Sequence, residues 1–304
     1  MVAAASGGPA RVVVLGANGQ LGRALRARWA ERDDVAWLGR DQADLERPES
    51  LGSIDWTGCE AIVNAAAYTA VDAAETPEGR IAAWQVNAVA PAALARIAAD
   101  QGIGLVHVSS DYVFDGTRPE HREDEPFSPL SVYGQSKAAG DIAVATAPRH
   151  WIVRTSWVVG EGRNFVATMA SLAERGIDPT VVGDQVGRLT FAAELARAID
   201  HLLAVDAPAG TYNVSNAGEP RSWAEIAQRV FERTGHDPAR VTPVTTAAYF
   251  AGKDGIAPRP EQSAMDLSRL RATGFEPEDH EAALDAYVDA LSAGGPPQDA
   301  AAVR

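Results

Sequence analysis

Arg11-Val12-Val13-Val14-Leu15-Gly16-Ala17-Asn18-Gly19-Gln20-Leu21-Gly22 decides the fold. The apolar run that ends at Gly16 suits a strand buried on both faces, as in a parallel sheet. Gly16, Gly19 and Gly22 follow as Gly-x-x-Gly-x-x-Gly, and residues 23–32 carry Leu25 and Trp29 at helical spacing. Where Cβ atoms are missing, the backbone can turn tightly and approach a pyrophosphate, whose charge then rests on the next helix's N-terminus. Three glycines alone would describe an ordinary βα turn. Flanked by strand and helix in this order, they predict a dinucleotide-binding βαβ unit.

Working outward, Val35–Leu38 reads as the second strand, Ala61–Ala66 as the third, Gly104–Ser110 as the fourth and Trp151–Thr155 as the fifth. Between them lies an Ala-rich helix over Trp84–Asp100, with Pro91 as a kink point. A polar loop, 116–131, leads to a helix carrying Tyr133. Strands alternating with helices predict an α/β fold, a Rossmann-type doubly wound parallel sheet. Beyond Trp157 the rhythm loosens, with helices at 164–174, 191–204, 222–234 and 281–291 and short strands at 180–182, 212–214 and 241–244. The expected organisation is an NAD(P)-binding domain over 11–156, completed by 187–216. A smaller C-terminal α/β substrate-binding cap would be built from 157–186 and 217–292. The small-residue stretches 1–10 and 293–304 read as flexible tails.

The 304 residues are 46% hydrophobic and 22% charged, enough apolar matter for a sizeable core. A formal net charge of −14 argues against non-specific binding to nucleic acid or an anionic membrane. Cys59 is the only cysteine, so no intrachain disulfide can form. With no run of eighteen apolar residues and no charged leader before an apolar segment, the sequence predicts a cytoplasmic protein with no membrane span.

Individual residues narrow the chemistry. The second strand ends in Gly39-Arg40-Asp41. An acidic residue at that point accepts from a ribose 2′-OH, whereas an arginine pairs with a 2′-phosphate. Arg40 comes first, which favours NADPH and leaves NADH possible. Ser110 ends the fourth strand, where ligands of doubly wound sheets bind, and could offer its hydroxyl to a reacting carbonyl. Tyr133 and Lys137 stand four residues apart, on one helical face. An ammonium near a phenol lowers the phenol's pKa, so the pair is expected to act as a general acid. His107 reads as a satisfied core histidine. Residues 120–125 read as a solvated acidic loop, and no metal-ligand spacing occurs.

Several blocks together resemble one family. They are the glycine loop, Asn64-Ala65-Ala66-Ala67-Tyr68-Thr69-Ala70-Val71-Asp72, and His107-Val108-Ser109-Ser110-Asp111-Tyr112-Val113-Phe114-Asp115-Gly116. To these are added Pro129–Lys137, Arg154-Thr155-Ser156-Trp157 and Ala257-Pro258-Arg259-Pro260. The sequence resembles the dTDP-4-dehydrorhamnose reductases, extended short-chain dehydrogenases/reductases, from about Arg11 to Gly274. The resemblance implies reduction of a dTDP-linked 4-keto-6-deoxy sugar; the oligomeric state stays open between monomer and homodimer. It implies that Gly19, Gln20 and Leu21 lie against the cofactor phosphates, Asp44 and Leu45 beside the adenine, and Ala66, Ala67 and Tyr68 along the ribose and nicotinamide. Ser110 and Asp111 would contact the sugar, Tyr133 would donate the proton, and Lys137 would hold the nicotinamide ribose and the phenol's pKa. Trp157 would wall the sugar and Arg259 would meet the diphosphate.

The sequence also departs from that family. Ser110 replaces the usual Thr, and Arg188-Leu189 stands in a segment that usually carries a proline. Ser263 replaces a favoured Asn. Ala24 occupies the position of a carboxylate that holds an intersubunit metal in some relatives, so no such metal is expected. Two other readings remain open at the sequence level. One is a dehydratase or epimerase of the same fold, although Tyr112 stands where dehydratases carry a second carboxylate. The other is a non-catalytic NAD(P)-binding regulatory subunit.

Overall fold

The computed structural model describes residues 10–294. Five strands, β1 (Val12–Leu15), β2 (Val35–Leu38), β3 (Ala61–Asn64), β4 (Gly104–Ser110) and β5 (His150–Thr155), are joined by a sixth, Gly210–Asn213. All pair in parallel, in the order β2-β1-β3-β4-β5-sixth. The strands read as unbroken apolar runs because both faces are covered. Val13, Leu15, Ile62, Leu105 and Ile152 face Leu94 and Ala98 of α3 (Ala90–Gln101) and Val144 of α4 (Val132–Val144). Val12, Val14, Val63, Val106 and Val153 face Leu21 and Leu25 of α1 (Gln20–Arg28) and Leu195 and Ile199 of α6 (Ala192–Ala204). Each such side chain contributes about 1.5–3 kcal/mol by leaving water. The chain runs from β1 out to β2, then returns across β1 to β3. The connections after β1 and β3 therefore diverge and open a crevice at the strands' carboxyl ends, where ligands of such sheets bind.

The first helix begins at Gln20, not Arg23, because Gly19 already serves as its N-cap, and Trp29 is its C-cap rather than an interior residue. The helix expected from Trp84 starts seven residues earlier. Thr76 caps it by accepting from Gly79 N, and Pro77 supplies a first-turn proline. α2 (Pro77–Trp84) passes into α3 through a π turn at Gln85–Val89. Pro91 has no N–H for the carbonyl of Asn87 and its ring crowds that carbonyl, so the helix widens just before it rather than kinking. Taken together, Pro77–Gln101 is the one helix among the described residues long and apolar enough to cross a membrane, a feature the sequence reading missed; half of its apolar window is buried inside the protein.

The rest of the back half forms a separate apolar cluster. α5 (Phe165–Glu174), α7 (Trp223–Arg233) and the helix His280–Ser292 bring Val166, Met169, Val230, Phe231, Leu284 and Val288 together. A capping box between Ser222 and Glu225 starts α7. Thr180–Val182 pairs in parallel with Thr242–Val244.

The loop 120–125 is not simply solvated. His121 is fully buried, stacked on Phe114, and bonded to the Glu125 carboxylate at 3.0 Å. The Glu123 carboxylate accepts from Asn213 N, fastening the loop to the sixth strand. Ala10, assigned to a tail, is buried in the core. Residues 1–9 and 295–304 lie outside the described residues.

Candidate active site

The glycine turn forms the floor of the crevice. Gly16 has φ +79°, and a Cβ on it would stand 2.7 Å from Ala66 N; a Cβ on Gly22 would stand 2.4 Å from Gly16 O. The first glycine lets β1 pass against the loop after β3, and the third lets α1 pack against the turn. Gly19 caps α1 with no side chain, so the helix's first N–H groups open towards the cleft. The cleft holds about 600 Å³ between Gly16, Gly19–Leu21, Ala65–Ala67, Ser109, Tyr133 and Lys137. A hollow of about 160 Å³ adjoins it through Gly16, Arg40, Ala66 and Ala67, and is walled by Asp44, Leu45, Glu46, Tyr68 and Val86. This long, glycine-floored trough, with a helix N-terminus in its wall, fits a dinucleotide. All the residues expected to hold the cofactor line it except Gly22, which packs beneath. Arg40 arrives with partners of its own, pairing with Asp44 at 3.6 Å and with Glu46.

Tyr133 and Lys137 line this trough, and Ser110 lies behind them beside the Tyr133 phenol. The Ser131 hydroxyl accepts from Gly134 N and starts α4. A Cβ on Gly134 would come within 2.2 Å of Tyr112 O, so this glycine lets α4 close on the turn after β4. That contact sets the Tyr133 phenol beside Ser110. The sequence reading missed Gly134, although it lies within the Tyr-x-x-x-Lys stretch itself.

The expected electrostatics are overturned. Burial pushes the Tyr133 phenol up to about 12, with the Ser110 hydrogen bond opposing the rise, rather than a neighbouring ammonium pulling it towards neutrality. Lys137 is 1% exposed, and its Nζ donates to the Val108 carbonyl at 2.6 Å. Burial draws the ammonium down to about 8, against the pull of Asp141. A buried cation occupied with a backbone carbonyl does little for a phenol that is itself desolvated. Below the pair, Asp141 and Arg154 form a buried ion pair at 2.9 Å.

Asp111 is 2% exposed; its Oδ1 accepts from the Ser110 hydroxyl at 3.0 Å, and Oδ2 has no partner. Burial raises this carboxyl to about 6, although Ser263 and Ser110 oppose the rise. His107 is only half satisfied. Nδ1 meets Asn64 at 3.1 Å, Nε2 has no partner, and burial keeps the imidazole neutral.

On the cap side, a hollow of about 280 Å³ lies between Tyr112, Phe165, Gln185, Trp223, Phe250 and Arg259. Trp157 does not line it. Its backbone takes φ +47° and its indole stacks on Trp223 at 3.7 Å, so Trp223 presents the aromatic wall. The sequence signal for Trp223 was the capping box that places it in the first turn of α7, but nothing local pointed to its partner. Arg259 is held by Asp72 at 2.8 Å and by its own loop's Ala257 carbonyl, with Phe250 beneath it. The divergent segment is also anchored. Arg188 donates to Gly218 O and Met265 O, and Leu189 is fully buried. Among the described residues, no group of three His, Cys, Asp or Glu side chains is placed to hold a metal ion.

The model of the RmlD substrate binding domain matches residues 10–293. The chain belongs to this family. Within the RmlD family its relatives include a probable dTDP-4,6-dihydroxy-2-methyloxan-3-one 4-ketoreductase of Streptomyces antibioticus, 42% identical over 94% of this chain and 98% of that protein. A dTDP-4-dehydrorhamnose reductase of Mycobacterium tuberculosis is 39% identical over 89% of each chain. Among solved structures, the dTDP-4-dehydrorhamnose reductase of Bacillus anthracis in complex with NADP superposes with a TM-score of 0.84 at 33% identity, covering 93% of this chain and all of that one.

Proposed function

We propose that this RmlD-family chain is an NADPH-dependent reductase of the C4 ketone of a dTDP-linked 4-keto-6-deoxy sugar, dTDP-4-dehydrorhamnose foremost. The observation that carries this reading is that Tyr133 and Lys137 line the glycine-floored trough, with Ser110 beside the Tyr133 phenol. The relatives of matching length are reductases of dTDP sugars, and one was crystallised with NADP. Bound NADPH supplies a hydride to the sugar's C4 carbonyl carbon. Tyr133 donates its phenolic proton to the carbonyl oxygen, and Ser110 positions that oxygen. Lys137 holds the nicotinamide-side ribose, and Arg40 meets the 2′-phosphate by exchanging one of its carboxylate partners. Asp111 lies against the sugar, Trp223 walls it with Trp157 stacked behind, and Arg259 receives the diphosphate. The enzyme works in the cytoplasm as a monomer or homodimer, and its net charge of −14 works against nucleic-acid or anionic-lipid partners.

The test is loss of NADPH absorbance when dTDP-4-dehydrorhamnose is added, run in parallel with NADH. Tyr133→Phe is expected to slow turnover by about 10²–10⁴-fold, the usual worth of a positioned acid. Near-normal turnover by that variant would remove Tyr133 from the mechanism. Protein that retains stoichiometric NAD and ignores added NADPH would point instead to a dehydratase or epimerase.

A further inference from the structure

We propose that Asp111 works in its protonated form as the proton source behind Tyr133, relaying through the Ser110 hydroxyl. The inference rests on the reductase reading and adds the origin of the proton that Tyr133 spends.

Three buried groups stand in a row, Tyr133 beside Ser110 and Ser110 hydrogen-bonded to Asp111. The Tyr133 phenol meets Ser110, and Ser110 Oγ lies 3.0 Å from Asp111 Oδ1. Every member is buried: Tyr133 is 9% exposed, Ser110 6% and Asp111 2%. Among the described residues no cation pairs with Asp111. Ser110 bonds its carboxyl, Ser263, Tyr112 and Tyr133 stand beside it, and His121 lies near enough to act on it electrostatically. His121 is itself bonded to Glu125, and its Nε2 lacks a partner, as Asp111 Oδ2 does. A carboxylate buried this way is destabilised relative to the neutral acid.

Protonation of Asp111 also decides which way the chain points. When Asp111 is ionised, Ser110 spends its only hydrogen on the carboxylate and has none for a substrate oxygen. When Asp111 is neutral, its O–H donates to Ser110 Oγ, and the Ser110 hydrogen is free to turn to the reacting carbonyl and then to the Tyr133 phenolate. After hydride transfer the alkoxide takes the Tyr133 proton. The phenolate takes the Ser110 proton, Ser110 takes the Asp111 proton, and Asp111 is left as the carboxylate. One proton enters the product, and Asp111 recovers it from solvent when the cleft opens. The shift also avoids two anions on one buried chain, since ionised Asp111 acts against a Tyr133 phenolate. Lys137, donating to the Val108 carbonyl, leaves this route free of competition from its own side.

The experiment is the pH profile of kcat with NADPH and dTDP-4-dehydrorhamnose for the unsubstituted chain and for Asp111→Asn. The amide keeps the bond to Ser110 but cannot surrender a proton to it. The unsubstituted enzyme should lose kcat as pH rises through about 6, the value to which burial raises the carboxyl. Asp111→Asn should lower kcat by about 10²-fold or more and abolish that limb. Ser110→Ala, which cuts the chain while leaving Asp111 in place, should abolish the same limb, with NADPH binding by fluorescence reporting that each variant is folded. A variant Asp111→Asn with unchanged kcat and pH limb overturns the relay. So does a rise in sugar KM alone, which would make Asp111 only a substrate contact. No NADPH oxidation by the unsubstituted chain overturns the reductase reading itself.

Discussion

Lys137 shows what burying a charged side chain costs at the scale of one residue. Its ammonium is enclosed by protein and gives up its proton at about 8 in the folded chain, against 10.5 for an unperturbed lysine. Between those pH values the unfolded chain holds more protons, so stability must rise with pH across that window. Lys137→Met removes the titration while roughly keeping the side chain's length. It should make the cofactor-free protein more stable at pH 7, by up to about 3 kcal/mol. The advantage should shrink as pH rises from 8 to 10.5, while reductase activity is lost. Thermal melts of both proteins over that range read the difference; because Tyr112, Tyr133 and Cys59 are common to both, their titrations cancel. A gap that does not change with pH would mean that Lys137 is not held under desolvation. The Tyr-x-x-x-Lys spacing revealed which residues to examine but not this cost. Spacing reports shared faces, whereas burial depends on β4 and α4 closing together through Gly134.

Among the elements, those with local periodicity were legible in the sequence and those shaped by distant contacts were not. β1 to β5 were found because each is a short apolar run ending at a turn signal. Thr180–Val182 was found even in the cap. The start of α2 was missed because Glu78, Gly79 and Arg80 break its apolar pattern, although Thr76 and Pro77 mark a helix start. The π turn that follows answers to Pro91 and places Asn87 inside. Asn87 is 1% exposed; its side chain bonds Tyr68 N at 2.9 Å, Tyr68 O at 3.0 Å and Ser136 Oγ at 3.0 Å. It thereby ties the cofactor-side loop after β3 to the helix that bears Tyr133. Asn87→Ala strands the part-buried N–H and carbonyl of Tyr68, and is expected to cost about 1–3 kcal/mol. Urea unfolding would show it as a lower midpoint at unchanged slope. A loss under 0.5 kcal/mol would mean that water replaces the amide without penalty.

Across the whole molecule, polar contacts join the sheet to the back half of the chain, and Asp72 makes two of them beside the cleft. It lies in the loop after β3, accepts from Ala257 N at 3.0 Å, and pairs with Arg259 at 2.8 Å. The Arg259 guanidinium, which lines the hollow with the half-buried Tyr112 and Phe250, therefore sits on a loop whose position Asp72 helps to set. The sequence showed Asp72 and Arg259 as separate blocks 187 residues apart; only the fold joins them. If Asp72 holds the loop ready for the diphosphate, loosening it should weaken sugar binding without disturbing the hydride donor. Asp72→Asn keeps the acceptor for Ala257 N but loses the charge, so its sugar KM should rise about 3–10-fold, the range of a partly exposed ion pair. Arg259→Ala should raise it further, with the NADPH KM unchanged in both. The double variant decides the matter. Because Asp72 acts through Arg259, removing it from an enzyme that already lacks the guanidinium should add little, whereas fully additive losses would show two independent contacts.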